Sequence, residues 1–244
     1  EHQRRRLCEL LYPSLPPHHM SKNRNPEVRD CKVLIVEDHP MFREHLAELI
    51  DRELGIVVCG EADNIREAMR LIEETGPDIA IVDITLRGSC GLELLKDIQA
   101  KDITLDVLVL SMHDEELYAE RSLRAGARGY ITKNEASTEV IKAIRCVING
   151  EVYASRELTA KLLDRMTGKG SPPELAGMDK LSDRELEVFQ QLGRGKNTLE
   201  IAADLTLGES TVETYRTRIK DKLQLRSAAE LYLRAGQWVR DHGA

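Results

Sequence analysis

Val33-Leu-Ile-Val-Glu-Asp-His-Pro40 decides how the chain is read: four apolar, mostly β-branched residues end on two acids, and Pro40 opens a helical pattern. Outward from it the alternation repeats. Helix spacing covers Pro40–Leu54, Ile65–Thr75, Leu92–Lys101, Glu115–Ala125 and Ser137–Asn149, and strand-like runs cover Ile56–Glu61, Ile79–Val82, Val107–Leu110 and Gly129–Ile131. Five strands alternating with five helices predict a parallel sheet covered on both faces, an α/β, doubly wound, flavodoxin-like (βα)5 unit over residues 31–150. In such sheets functional loops gather at the strands' carboxyl ends.

Residues 1–30 lack periodicity and carry Pro13, Pro16, Pro17 and Pro26, the pattern of a flexible arm or a remnant; Met20 is a candidate natural start. Residues 151–179 read as a linker, with a short helix over Ser155–Met166 followed by the breaker Thr167-Gly-Lys-Gly-Ser-Pro-Pro173. Residues 180–244 hold only helical patterns and form a small all-α unit: Asp183–Leu192, Thr198–Leu205, Glu209–Leu223 and Ala228–Trp238.

With 41% hydrophobic residues, the 244-residue chain can build two cores. No run approaches the roughly 20 apolar residues of a membrane span. The charged start has no signal-peptide segment after it, so the expectation is a cytoplasmic protein with no membrane partner. Five cysteines without C-x-x-C spacing and seven histidines without H-x-x-x-H argue against disulfides, zinc and metal binding through nitrogen or sulfur. The net charge of −7 is uneven: residues 31–150 carry −9, while residues 181–234 are neutral and contain the basic stripe Arg216, Arg218, Lys220, Lys222 and Arg226.

Glu37 and Asp38 follow the first strand and Asp83 follows the third, so the fold brings three carboxylates into one pocket. Three clustered anions need a cation, and an all-oxygen ligand set suits Mg²⁺. Ser111 ends the fourth strand and Lys133 lies just past the fifth. A carboxylate nucleophile, a divalent cation, a hydroxyl and a lysine are the parts of in-line phosphoryl transfer to an aspartate, with Asp83 attacking and Lys133 neutralising charge. Tyr130 is placed to move inward as Ser111 swings toward a phosphoryl group, forming a switch. Any one of these acids could be a loop solubiliser or a helix cap. Five suitable residues, gathered at the ends of four strands, point to a site.

Val33 to Pro40, Asp83-Ile-Thr-Leu86, Gly91-Leu92, Ser111 and Gly126-Ala-Arg-Gly-Tyr-Ile-Thr-Lys133 resemble response-regulator receivers of the NarL/FixJ type over residues 31–150. The resemblance implies phosphorylation of Asp83 by a sensor histidine kinase, Mg²⁺ held by Glu37, Asp38, Asp83 and the Thr85 carbonyl, and a Ser111/Tyr130 switch. Arg87 and Asn134 stand where that family has prolines.

In the helical region Ser182 and Glu185 form a capping box, and Leu186, Val188, Phe189 and Leu192 supply a core face. Asn197 caps Thr198–Leu205, and a turn at Thr206-Leu-Gly208 leads into Glu209–Leu223, which reads as helix-turn-helix. On the second helix Val212, Tyr215 or Ile219, and Leu223 face inward, leaving Glu213, Thr214, Arg216, Thr217 and Lys220 outward. Together with Asn197, Arg218 and Lys222 these are the candidate DNA contacts, the basic residues holding phosphates. Leu181 to Val188, Glu200-Ile-Ala202, Ser210-Thr-Val212 and Lys222-Leu223 resemble the LuxR-type helix-turn-helix. That resemblance implies binding to double-stranded promoter DNA, commonly as a homodimer through the last helix. Gly208 replaces its usual serine cap, and Tyr215 a common histidine.

The combined expectation is a phosphorelay transcription factor, not an enzyme beyond assisting its own phosphotransfer and dephosphorylation. Phosphorylation is expected to release a recognition helix hidden by the unphosphorylated receiver, or to promote dimerisation. Two alternatives stand beside it. A nucleotide- or flavin-binding enzyme lacks a G-x-G-x-x-G or P-loop and would face an acidic crevice, and a phosphorylation-independent dimerisation module leaves the acidic cluster unexplained.

Overall fold

A computed structural model describes residues 30–112, 115–156, 158–160 and 177–242. Residues 1–29 of the arm and the breaker at 167–173 lie outside the described residues, as does most of the proposed linker helix.

Five parallel strands form the sheet: β1 (Cys31–Val36), β2 (Ile56–Ala62), β3 (Ile79–Asp83), β4 (Asp106–Ser111) and β5 (Gly129–Thr132), in spatial order β2-β1-β3-β4-β5. The order reverses between β1 and β3, whose ends Val36 and Val82 are paired in register. This reversal opens a crevice beyond the carboxyl ends. It places Glu37 beside Asp83.

Five helices complete the unit: α1 (Pro40–Asp51), α2 (Ile65–Thr75), α3 (Gly91–Ala100), α4 (Glu115–Arg124) and α5 (Ala136–Ile148). Strand side chains alternate between faces, so each strand feeds two cores. Val33, Ile35, Ile79, Ile81, Leu108 and Leu110 pack with α1 and α5. Leu34, Val36, Ala80, Val82, Val107 and Val109 pack with α2, α3 and α4. Near-continuous apolar strands are what a sheet buried on both sides requires. Helix ends follow local chemistry: the Asn64 side chain accepts the Glu67 N–H at the start of α2, and Gly76 ends it at φ 55°.

Sequence periodicity treats the segment after Asp83 as a loop. It is a small hairpin, in which Thr85–Leu86 pairs antiparallel with Ser89–Cys90 around a turn at Arg87 and Gly88. The hairpin closes tightly: a Cβ on Gly91 would sit 2.0 Å from the Asp83 carbonyl oxygen.

The helical unit comprises α6 (Asp183–Gly193), α7 (Thr198–Asp204), α8 (Glu209–Leu223) and α9 (Ala228–His242). Capping boxes open α6 and α7, formed by Ser182 with Glu185 and by Asn197 with Glu200. Leu186, Phe189, Leu192, Ile201, Val212, Ile219, Leu231 and Trp238 form its core. The Phe189 and Trp238 rings meet edge to face at 6.2 Å. Gly193 lets α6 lie against α9, since a Cβ there would come 2.4 Å from the Ala235 carbonyl oxygen.

Candidate functional site

Glu37, Asp38, Asp83 and Lys133 converge at the crevice, each under one-tenth exposed. The Lys133 ammonium bridges two acids, 2.8 Å from Asp83 Oδ2 and 2.6 Å from Glu37 Oε2. It also lies 4.8 Å from the centre of the Phe42 ring. Burial pushes the Asp83 carboxyl well above its ordinary value; Lys133 opposes this, Glu37 reinforces it, and the Thr85 N–H donates to the carboxylate. Burial pulls Lys133 down, but Asp83 and Glu37 outweigh it and its ammonium is held above the ordinary range.

The donor set suits a hard cation. Ligand atoms of Glu37, Asp38, His39 and Asp83 lie within 4.8 Å of one another. Glu37 Oε2 and Asp38 Oδ1 are buried and accept no well-aligned hydrogen bond, though the Lys133 ammonium lies 2.6 Å from the first and His39 Nδ1 2.9 Å from the second. The sequence reading passed over His39, whose Nδ1 is 2.9 Å from Asp38 Oδ1 and 3.2 Å from Glu37 Oε1. Arg87, which stands in a proline position of the family pattern, brings its Nε to 3.7 Å from Asp38 Oδ2. Ser111 is buried at the end of β4, with its carbonyl accepting from the Lys133 N–H. The Tyr130 ring is already inside, 1% exposed.

On α8 the structure keeps Glu213, Thr214, Thr217 and Arg218 exposed and Lys220 half-buried. Ser210, Thr211, Thr214, Tyr215 and Arg218 line a shallow hollow along its amino-terminal half. The expected outward Arg216 is corrected: its guanidinium turns inward to Thr198 Oγ1 (2.8 Å), to Glu213 and over the Tyr232 ring. Its partner ring lies on α9, which spacing within α8 cannot reveal. Lys222 is paired with Glu185 of the first capping box, and the Asn197 side chain caps α7. Ser210 and Thr211, which belong to the LuxR-type pattern but which charge does not single out, lie on the same exposed face.

The family pattern of the response regulator receiver domain matches residues 33–145, and that of bacterial regulatory proteins of the luxR family matches residues 179–235. Response regulator GacA of Pseudomonas aeruginosa is 32% identical over 206 residues, covering 84% of this chain and 94% of that protein. The chain belongs to the LuxR-family response regulators. Transcriptional activator protein ExaE of Pseudomonas putida is 36% identical over 200 residues, covering 82% of this chain and 92% of that one. A LuxR-family two-component response regulator from Aurantimonas aligns with TM-score 0.53 and 33% identity, covering 57% of this chain and 99% of that one. RcsB of Salmonella, solved bound to promoter rprA with a phosphomimetic, shares the fold at 20% identity, with TM-score 0.57 over 85% of this chain and 99% of that one.

This response regulator is therefore a two-component DNA-binding regulator, with a receiver followed by a LuxR-type domain. Among the described residues no helix is long and apolar enough to cross a membrane. The expected burial of the recognition helix is not what the structure has. The receiver docks on α6 instead: Asp183 accepts from Lys96 (2.6 Å) and Arg121 (2.8 Å), the Tyr118 hydroxyl donates to Gln190 (3.1 Å), and Arg184 donates to the Ser89 carbonyl (3.3 Å). Asp183, Arg184, Glu187 and Gln190, a polar face by sequence, are consequently all buried.

Proposed function

We propose that Asp83 is the phosphoacceptor of this response regulator and that a sensor histidine kinase is its donor. An Asp83 carboxylate oxygen attacks phosphorus, the P–N bond to the donor imidazole breaks with its electron pair returning to nitrogen, and an acyl phosphate results. Hydrolysis by water restores the carboxylate and releases phosphate. Lys133 orients Asp83 and compensates charge on the transferred oxygens. Glu37, Asp38, Asp83 and the Thr85 carbonyl would hold Mg²⁺, which supplies charge neutralisation at phosphorus. Ser111 and Tyr130 form the switch, with Ser111 reaching toward the phosphoryl group and the inward Tyr130 ring filling the space behind it. Beyond this self-directed chemistry the protein is no enzyme.

The observation that carries this reading is the buried bridge from Lys133 to both Asp83 and Glu37 within a cluster whose carboxylate oxygens lie within 4.8 Å of one another. Residues 31–150 act as the receiver and 180–244 as the DNA-binding domain, with 151–179 joining them. Phosphorylation changes how α6 is held and favours a homodimer on double-stranded promoter DNA in the cytoplasm. Thr214, Thr217 and Arg218, with Glu213, Lys220 and the newly placed Ser210 and Thr211, face the DNA. Asn197, Arg216 and Lys222 hold the frame that presents them.

Acetyl phosphate with Mg²⁺ tests the reading. The intact chain gains the mass of one phosphoryl group and retains a larger fraction of a pool of double-stranded genomic fragments. Asp83→Asn gains neither. Equal phosphoryl uptake by Asp83→Asn would place the acceptor elsewhere.

A further inference from the structure

The hairpin after Asp83 touches both halves of the molecule. At its first strand, the Thr85 N–H donates to the Asp83 carboxylate. At its turn Arg87 lies 3.7 Å from Asp38. At its second strand the Ser89 carbonyl accepts from Arg184, and the buried Cys90 thiol lies beside the buried Glu187 carboxyl. Gly91 locks the base, its N–H donating to the Ile84 carbonyl at 2.7 Å.

Arg184 continues the path. It is 6% exposed; besides Ser89 it holds Glu187, and its Nη2 donates to the Leu205 carbonyl at 3.1 Å. Leu205 caps the carboxyl end of α7 and begins the turn whose Gly208 caps the recognition helix. One guanidinium thus joins the hairpin of the acidic pocket to the turn of the helix-turn-helix. Its planar fork serves acceptors on two sides, which a single ammonium cannot do with the same geometry.

We propose that the hairpin Thr85–Cys90 and Arg184 form a direct relay by which a change at Asp83 repositions α6 and the helix-turn-helix turn, independently of the Tyr118–Gln190 contact. The relay rests on Asp83 being the phosphoacceptor. Esterifying one Asp83 oxygen removes negative charge from the acceptor of the Thr85 N–H, so that bond must be remade. With Gly91 packed on the Asp83 backbone, the hairpin has no slack at its base and the adjustment is passed to Ser89 and Cys90. Buried charge-assisted bonds are sensitive to such small displacements.

The chain's one tryptophan supplies the readout, since Trp238 is buried against Phe189 of α6. Full-length protein is treated with acetyl phosphate and Mg²⁺; phosphorylated mass and Trp238 emission are followed on the same sample. Wild type is expected to show a shift in emission that tracks the mass gain, as is Tyr118→Phe. Arg184→Lys and Cys90→Ala are expected to gain the same mass and lose most of the shift, while keeping the resting emission of wild type. Cys90→Ala decides the matter if Arg184→Lys does not fold.

Undiminished emission shifts in folded Cys90→Ala and Arg184→Lys would overturn the relay. So would a shift lost in Tyr118→Phe and kept in those two, or phosphorylation of wild type with no emission change. Failure of wild type to gain phosphoryl mass would instead strike the assignment of Asp83 itself.

Discussion

Replacing Lys133 by methionine keeps the volume and apolar stem while deleting the ammonium between Asp83 and Glu37. At 2.8 and 2.6 Å, and with an effective dielectric of about 20, each pairing is worth about 6 kcal/mol by Coulomb's law. Carboxylate atoms within 4.8 Å of each other repel by at least about 3 kcal/mol per pair on the same scale. The lysine therefore roughly balances three acids, and its loss leaves them uncompensated.

The protein can escape by protonating Asp83, whose carboxyl burial already pushes up, so the net loss is held to about 3–5 kcal/mol. An acid whose folded pKa lies above its unfolded one favours folding when protonated, and that contribution is lost as pH rises through the folded value. The destabilisation of Lys133→Met is therefore larger at about pH 8 than at about pH 5. Urea unfolding followed by circular dichroism at both pH values, with and without Mg²⁺, measures it; Mg²⁺ is expected to return more stability to the variant than to wild type. A loss under about 1 kcal/mol near pH 8, or one independent of pH, would refute the buried-charge reasoning.

Burial raises the Glu187 carboxyl to about 7 at the receiver interface, against Arg184 and Cys90, which lower it, and Glu93, which raises it further. Domain docking should thus weaken as pH rises from the ordinary glutamate range through about 7, and Glu187→Gln should flatten that dependence, as read by hydrogen exchange at α6. Arg218→Ala should leave thermal stability unchanged and lower the salt dependence of DNA retention by about one phosphate contact. Arg216→Ala, which breaks links to Thr198, Glu213 and Tyr232, should cost about 1 kcal/mol of stability in thermal unfolding. Gly193→Ala pushes a methyl into the Ala235 carbonyl and should cost about 1–3 kcal/mol, seen as a lower denaturation midpoint.

Much of this was legible because strong periodicity and local capping agree with the tertiary fold. The spans Ile65–Thr75 and Glu209–Leu223 coincide with the observed helices, and the acids at the carboxyl ends of β1 and β3 lie at the crevice that the strand order creates. What escaped has two causes: elements too short to carry a period, and partners distant in sequence. Two-residue strands at Thr85–Leu86 and Ser89–Cys90 carry no period to detect. Arg216 faces α9, and the polar side of α6 looks solvated until the receiver covers it. His39 gives no histidine ligand spacing, yet its place directly after Glu37 and Asp38 in the chain keeps its ring against both acids.

An α6 enclosed on every side restricts how freely the two halves can be traded. A chimera carrying another regulator's DNA-binding half would bury foreign side chains against Lys96, Tyr118, Arg121 and the Ser89 carbonyl, four groups that here each meet a specific acceptor or donor. Mismatched inheritance at those positions would leave stranded polar atoms at the seam. Lineages that shuffle such modules must therefore carry the seam residues along with them.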